Sequence, residues 1–426
     1  MTWARKLSGV LSAKRLLGML RYLAVFGLAR GTLFFAPLVL ASLLPATDYG
    51  LFEWAYATAM LLATLAALGT PNLVPLVLLG TPPPGVSMKG IRLHQLAVAA
   101  LFGTGAAVAA STGFPSASQA ALLAAVLVLQ SLRSTELRSN GKADASLLVD
   151  TALLGCMMLA AAAMFLARPE LATAATLGAA VACLFGLLLP LLRDVRAGEA
   201  FAAWWPTLWA GQALMLTGLL ATLVTSSGRL GMGWLADPEL TATYSVLARG
   251  AALPIVAHQV IMVAGFRRAF VDERDALERT LLTVLAVVAA SATGFWLVAP
   301  SLSFVLGPAF AIAAAAHRSD LLWLLIQSVL WSGIALNDLM NTRFNTAAKV
   351  LRVSVPTFLL LALCALFVLL RLGISLSMFV RVHGALMLAF YVAQACVMRV
   401  AGIQMTRVWC FAIGAYLALA LLAFVV

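Results

Sequence analysis

Residues 44–57, "LPATDYGLFEWAYA", form a short polar turn between two long apolar runs. A helix needs about 20 apolar residues to cross the roughly 30 Å hydrocarbon core of a membrane, and both neighbouring runs reach that length. Pro45 ends the first run, Gly50 suits a tight turn, and Tyr49 suits the membrane interface, where tyrosine is enriched. The stretch therefore predicts two membrane-spanning helices joined by a tight turn, with the acidic Glu53 just inside the second.

The same run length recurs along the whole chain. The sequence has 426 residues, of which 63% are hydrophobic and only 10% charged, and its mean hydropathy is +1.02. A soluble globular domain is far more charged. The continuous runs predict an all-α polytopic membrane protein with 12–13 transmembrane helices, near 22–44, 50–79, 93–112, 118–138, 146–167, 171–192, 206–226, 240–266, 281–300, 319–342, 353–372, 375–399 and 407–426.

The basic residues predict the orientation, because Lys and Arg in short loops are retained in the cytoplasm. The net charge is +12, from 28 basic and 16 acidic residues. Residues 1–21 are basic and resemble the start of a signal peptide, but the long run that follows, with Arg30 inside it, favours an uncleaved first helix. We therefore expect a cytoplasmic N-terminus, with the C-terminus outside for thirteen helices and inside for twelve. Four basic residues then fall in outer loops: Arg168, Arg229, Arg318 and Arg371.

The motifs of membrane-bound enzymes are missing from the sequence. No loop is long enough to hold a catalytic domain, and there is no DxD, HExxH, phosphate-binding or G-x-S-x-G motif. The five cysteines lie in apolar runs without C-x-x-C spacing or a histidine partner, which indicates small packing residues. The sequence therefore predicts no enzyme, no cofactor, no metal site and no nucleic-acid partner.

The turn at 44–57 has an echo in the second half of the chain. "TATYSVLARGA", residues 241–251, also opens an apolar run and aligns Tyr244 with Tyr49. One run precedes the first copy and seven precede the second, so the offset is six helices, as in transporters built from repeats. The repeat predicts gate turns at Pro45, Tyr49, Gly50 and Tyr244. It also predicts a six-helix bundle over 1–192, a cytoplasmic linker over 193–206, a second bundle over 207–399 and an additional helix over 400–426.

Three arginines lie deep within apolar runs: Arg30, Arg249 and Arg381. Each is about 12 Å from the nearer end of its helix, where an unpaired guanidinium costs at least about 2.5–3.5 kcal/mol. Such a group should face a wet cavity, snorkel to the interface or pair with a carboxylate. The cavity hypothesis predicts binding of an anionic substrate, because guanidinium forks pair with phosphate. Three carboxylates are alternative partners for the arginines and candidates for ion coupling: Glu53, Asp150 and Asp338.

The chain resembles the polysaccharide biosynthesis and export (O-antigen-type flippase) branch of the multidrug, oligosaccharidyl-lipid and polysaccharide exporter superfamily. Four motifs carry the resemblance: "LLPATDYG" at 43–50, "LADPELTATYSVLARGAALP" at 235–254, "FVLGPAF" at 304–310 and "NTRFNTAAKVLR" at 341–352. The resemblance implies a flippase that moves an undecaprenyl-diphosphate-linked oligosaccharide from the cytoplasmic to the outer leaflet by alternating access. It also implies a bacterial cytoplasmic (inner) membrane, with membrane lipids, a polysaccharide polymerase and the chain-length machinery as partners.

Two features depart from the family pattern. Many relatives carry an acidic residue before the arginine that leaves the seventh helix, where this chain has Gly228 before Arg229. Relatives have twelve or fourteen helices rather than thirteen. The competing hypothesis is a drug or small-cation exporter of the same superfamily, which would favour an acidic cavity. An integral-membrane polysaccharide polymerase or glycosyltransferase is a further alternative.

Overall fold

The computed structural model describes residues 13–80, 82–192, 197–255, 273–344 and 346–425. Within these ranges the chain is helical with short connections and contains no strand, which confirms the all-α prediction. The α-helices are α1 (Ala13–Leu43), α2 (Ala46–Ala66), α3 (Val74–Leu79), α4 (Met88–Ser111), α5 (Pro115–Ser139), α6 (Ala143–Ala167), α7 (Ala172–Leu192), α8 (Ala197–Leu235), α9 (Pro238–Ala251), α10 (Arg274–Val298), α11 (Ser303–Leu306), α12 (Pro308–Ala316), α13 (Arg318–Arg343), α14 (Ala347–Leu372), α15 (Leu376–Val400) and α16 (Thr406–Val425).

The lengths and compositions of these helices are those of a multi-pass membrane protein. Ten of the described helices could cross a membrane, and two bent pairs raise the number to as many as twelve. The predicted span 240–266 overlaps α9, and its residues 256–266 lie outside the described ranges. The last predicted helix is present as α16.

Two predicted runs are not straight. The run predicted over 50–79 bends by 54° between α2 and the segment Thr70–Leu79. Leu68 and Gly69 have positive φ angles of 48° and 69°, which interrupts the helix before Pro71. α8 bends by 52° between Ala200–Gln212 and Leu214–Leu235. The two bends pack closely against each other. A Cβ on Gly69 would overlap the carbonyl oxygen of Gly211, so this contact requires a glycine at position 69.

The bounds of α8 differ from the predicted ones at both ends. The linker predicted over 193–206 is helical from Ala197 onward, because its alanine-rich sequence continues directly into the apolar run. At the other end, α8 extends to Leu235, beyond the run predicted over 206–226. Arg229, predicted in an outer loop, therefore lies inside the helix. The apolar residues that follow Arg229 carry the helix past this charge.

The helices pack in two groups joined at α8. α1 packs on α6, and α5 packs on both α2 and α4, in what we term the N-terminal bundle (α1–α7). α13 packs on α10, α15 and α16 in the C-terminal bundle (α9–α16). α8 contacts α2 and α4 on one side and α14 on the other, so it connects the bundles rather than belonging to one alone.

α16 is an integral part of the C-terminal bundle. Residues 321–330 of α13 are all buried, and α16 covers one side of this helix. The ring of Trp323 makes edge contacts with Tyr416 and Phe424. Trp409 Nε1 donates a hydrogen bond to Asn337 Oδ1 at 3.1 Å. The additional helix thus completes the packing around α13.

The two echoing turns lie against each other at one end of the molecule. α1 and α2 are separated by Leu44 and Pro45, while α8 and α9 are separated by residues 236–237. We term this end the turn face. A Cβ on Gly50 would overlap the backbone carbonyl of Pro238, so the absence of a side chain allows α2 and α9 to meet. The predicted reason for Gly50 is therefore wrong: Gly50 is inside α2, and its role is close approach rather than a tight turn.

Gly50→Ala is expected to destabilise the protein by about 1–3 kcal/mol, because its methyl group would meet backbone atoms that have no rotamer to change. The unfolding temperature of the purified protein in detergent measures the effect. Gly103→Ala is the matched control, since no atom lies within 4 Å of its Cβ position on α4. Equal unfolding temperatures for the two variants would contradict the contact between the turns.

Candidate functional site

A cavity of about 320 Å³ lies where α1, α8, α9, α13 and α15 meet. The N-terminal bundle contributes α1 to its walls, and the C-terminal bundle contributes α9, α13 and α15. Apolar side chains such as Phe34 and Trp331 form part of the lining. Transporters built from two repeats commonly bind their substrates at such a junction. Eight polar or charged residues also line the cavity: Arg30, Thr225, Arg229, Tyr244, Arg249, Gln327, Ser328 and His383.

A buried carboxylate lies directly behind two of these arginines. Glu53 on α2 has no exposed surface. Arg249 donates to it twice, from Nε to Oε1 at 3.2 Å and from Nη2 to Oε2 at 3.1 Å. Arg229 Nη1 donates to Oε2 at 3.1 Å, and the Tyr49 hydroxyl donates to Oε1 at 2.9 Å. Such charge-assisted hydrogen bonds compensate the desolvation of the carboxylate.

The local sequence explains how this cluster forms. Tyr49 and Glu53 are four residues apart, so they share one face of α2. Tyr49 is buried, and the prediction that it anchors α2 at the membrane interface is wrong, because its hydroxyl is satisfied by Glu53 instead of by water. Tyr244 is also buried, and its ring packs edge-on against Phe379. The lack of a side chain on Gly228 leaves space for the Tyr244 hydroxyl.

Arg30 faces the cavity in a different way. Its side chain is exposed, and its guanidinium carbon lies 5.5 Å from the centre of the Phe26 ring. Among the described residues, no carboxylate forms an ion pair with Arg30. Its charge is therefore available to a ligand, whereas Arg229 and Arg249 share theirs with Glu53.

The cavity consequently carries excess positive charge. Three guanidinium groups and the one carboxylate behind them sum to a net charge of +2. His383 is satisfied as a neutral ring, with Nδ1 donating to Gln327 Oε1 at 2.8 Å and Nε2 accepting from the Ser227 hydroxyl at 2.9 Å. A site with this net positive charge favours an anion with two negative charges.

The other predicted site residues lie elsewhere. Arg381 on α15 is exposed, and its guanidinium carbon is 5.5 Å from the centre of the Phe424 ring of α16, outside the cavity lining. Asp150 accepts a hydrogen bond from Arg138 Nη2 at 3.1 Å. Asp338 accepts one from Gln394 Nε2 at 3.1 Å within the C-terminal bundle. Pro45 is exposed at the turn face. The roles predicted for Asp150, Asp338 and Pro45 stay predictions, whereas Arg381 in this position is not expected to contact a substrate in the cavity.

Arg229 is the main site residue that the sequence analysis missed. It was assigned to an outer loop because the predicted apolar run ended at residue 226, before the arginine of "SSGRLGMG", residues 226–233. The signal that could have placed it in a helix is the apolar stretch up to Leu235, which extends the run by two turns. For Arg249, the structure shows the carboxylate pairing that the sequence left open, but the same guanidinium also faces the cavity.

Comparison with known proteins identifies the fold. A solved structure described as the inward-facing conformation of a multidrug resistance MATE family transporter of the MOP superfamily matches with a TM-score of 0.51, over 94% of this chain and 93% of that one. The fold is that of a MATE family transporter. Sequence identity to that protein is only 15%, so the likeness concerns the MATE fold alone.

A second solved structure, the eukaryotic MATE transporter AtDTX14, aligns with 94% of this chain and 100% of its own at 12% identity and a TM-score of 0.45. No protein-family model matches the chain, and no curated protein matches it.

Proposed function

We propose that this protein is a flippase that carries an undecaprenyl-diphosphate-linked oligosaccharide across the membrane by alternating access. The observation that carries the proposal is the cavity between the bundles, where Arg30, Arg229 and Arg249 outweigh the single carboxylate of Glu53. A diphosphate that bridges a lipid and a sugar is a diester with two negative charges, and it matches the +2 net charge of the cavity.

The size of the cavity indicates that it would hold only part of the proposed substrate. At about 320 Å³ it is at the small end of ligand pockets, so it would hold the charged linkage and not a whole oligosaccharide. The linkage is the part that most needs protein contacts, because two charges are costly to move through hydrocarbon. The lipid tail would remain in the membrane.

The competing function is export of drugs or small cations, and the MATE fold suits it equally well. The similar solved structure is described as a multidrug resistance transporter, but that description concerns the other protein. The charge of the cavity favours the anionic substrate: a cation would meet Arg30 directly, while the carboxylate of Glu53 is occupied by four hydrogen bonds from three side chains.

Translocation in proteoliposomes tests the proposed function. The purified protein should move a fluorescent undecaprenyl-diphosphate sugar between leaflets, measured as the fraction that an impermeant quencher cannot reach. A neutral undecaprenyl glycoside is the matched control, because it has the same tail and lacks the charges. Equal rates for both lipids, or export of a lipophilic cation without any lipid movement, would refute the proposal.

We further propose that the protein lies in the bacterial cytoplasmic membrane with the turn face outside. The basic residues of the sequence support this orientation. In intact cells, an impermeant thiol reagent should label Pro115→Cys, at the turn-face end of α5, and should not label Lys142→Cys, at the opposite end. The reverse pattern would invert the orientation.

A further inference from the structure

Glu53 forms ion pairs that join the two bundles. It belongs to α2 of the N-terminal bundle, while Arg249 belongs to α9 of the C-terminal bundle. Arg229 lies near the end of α8, and this end is attached to the C-terminal bundle, because Ser227 bonds His383 of α15 at 2.9 Å. The ion pairs of Glu53 therefore cross the junction that must open in alternating access.

These ion pairs lie beneath the seal of the turn face. Glu53 is eight residues beyond Pro45, which places it about 12 Å into the molecule from that face. Between it and the surface, α2 contacts α9 at Gly50 and Pro238, and the Trp54 ring packs on the backbone of α8 at Gly233. Separation of α2 from α8 and α9 would open the cavity toward the turn face, and it would pull Glu53 away from both arginines.

Without a ligand, this separation is unfavourable. It leaves a carboxylate and two guanidinium groups without partners in a low-dielectric region. An anion in the cavity changes the balance, since Arg229 and Arg249 both line the cavity with Glu53 behind them. Such an anion would retain both arginines as partners when Glu53 departs.

We propose that Glu53 is a gating residue: its ion pairs with Arg229 and Arg249 hold the turn face closed in the empty protein, and an anionic substrate opens it by taking over the two guanidinium groups. The release step rests on the proposed function, whereas the closure by Glu53 does not. A neutral or cationic molecule cannot replace the carboxylate. The residues that bind the anion therefore also restrict opening of the turn face to anions.

Distances between spin labels across the turn face test this gate. Ala117 on α5 and Ala316 on α12 are exposed, lie at the turn-face ends of different bundles, and can carry labels after replacement of the five native cysteines. The probe is inorganic pyrophosphate, added to the labelled protein in nanodiscs. The wild-type pair should give one short distance without the probe and a second, longer distance with it.

Glu53→Gln should show the longer distance without pyrophosphate, with a population at least tenfold above that of the wild type. Glu136→Gln is the matched control. Glu136 is also a buried carboxylate held by two arginines, at 2.8 Å from Arg92 and 3.3 Å from Arg133, but all three residues lie within the N-terminal bundle. Its distance distribution should remain that of the wild type.

A folded Glu53→Gln protein with the wild-type distribution would overturn the gate. If this variant does not accumulate, Tyr49→Phe removes a single hydrogen bond from the same carboxylate and should raise the open population by a smaller factor; no rise would overturn the gate equally. Opening of Glu53→Gln together with a wild type that ignores pyrophosphate would support closure by Glu53 and refute release by anions, while the translocation assay would still decide the proposed substrate.

Discussion

Arg30→Ala is expected to lower translocation of an undecaprenyl-diphosphate sugar by about 30-fold or more, the equivalent of about 2 kcal/mol for a lost charged contact. The physical reason is that Arg30 contributes one of the two uncompensated charges of the cavity. Because no described carboxylate pairs with Arg30, its removal leaves no buried charge without a partner, and the protein should accumulate normally. Arg30→Lys keeps the charge but loses the planar fork, so we expect intermediate activity.

Arg381→Ala is the control for this series. Arg381 is also an arginine within a membrane span, but it lies against Phe424 and outside the cavity lining. Its removal should leave translocation close to the wild-type rate. The initial rate in proteoliposomes, divided by the amount of protein inserted, separates these outcomes. A larger loss in Arg381→Ala than in Arg30→Ala would show that the cavity does not carry the substrate.

Arg249→Ala is expected to reduce folding stability by about 3–5 kcal/mol, because two hydrogen bonds to a buried carboxylate are lost and each contributes about 1.5–3 kcal/mol. Arg249 supplies two of the hydrogen bonds to Glu53, and Glu53 has no exposed surface through which water could replace them. The midpoint of denaturant unfolding in detergent measures this loss. Arg249→Ala should therefore be poorly active because it is unstable, in contrast to Arg30→Ala.

Two further variants test whether the loss of stability is specific to the ion pairs of Glu53. Arg138→Ala removes an exposed partner of Asp150, and such surface pairs contribute only about 0–1 kcal/mol. Adding Glu53→Gln to Arg249→Ala should lower the stability further, because Arg229 then loses its carboxylate partner. A double variant more stable than Arg249→Ala alone would contradict the account of the cluster.

The sequence predicted the helices well because the length of an apolar run is dictated by the membrane. It predicted less about helix interiors. The bend after α2 depends on positive φ angles at Leu68 and Gly69, and leucine gives no signal for such a conformation. The end of α8 was misplaced because the predicted run stopped at residue 226, before the charged side chain of Arg229. In this protein the helix continues through Arg229, and Glu53, distant in sequence, pairs with its charge.

The site was predicted only in part, for a related reason. Arg30 and Arg249 could be selected because charged residues are rare at that depth. The different environments of these two arginines could not be predicted from the sequence, since the pairing of Arg249 with Glu53 depends on how α2 and α9 pack. Tyr49 and Gly50 were recognised as unusual, but burial and close approach are properties of the assembled helices and not of the turn itself.

Binding of undecaprenyl diphosphate to the protein in nanodiscs tests the central claim most directly. The claim is that uncompensated arginine charge in the cavity recognises the diphosphate of a lipid-linked substrate. It predicts that the wild type binds undecaprenyl diphosphate at least about tenfold more tightly than Arg30→Ala does, a difference of about 1.4 kcal/mol. It also predicts that the lipophilic cation tetraphenylphosphonium does not displace the lipid. Equal affinity of the two proteins for undecaprenyl diphosphate, together with displacement by tetraphenylphosphonium, would contradict the claim.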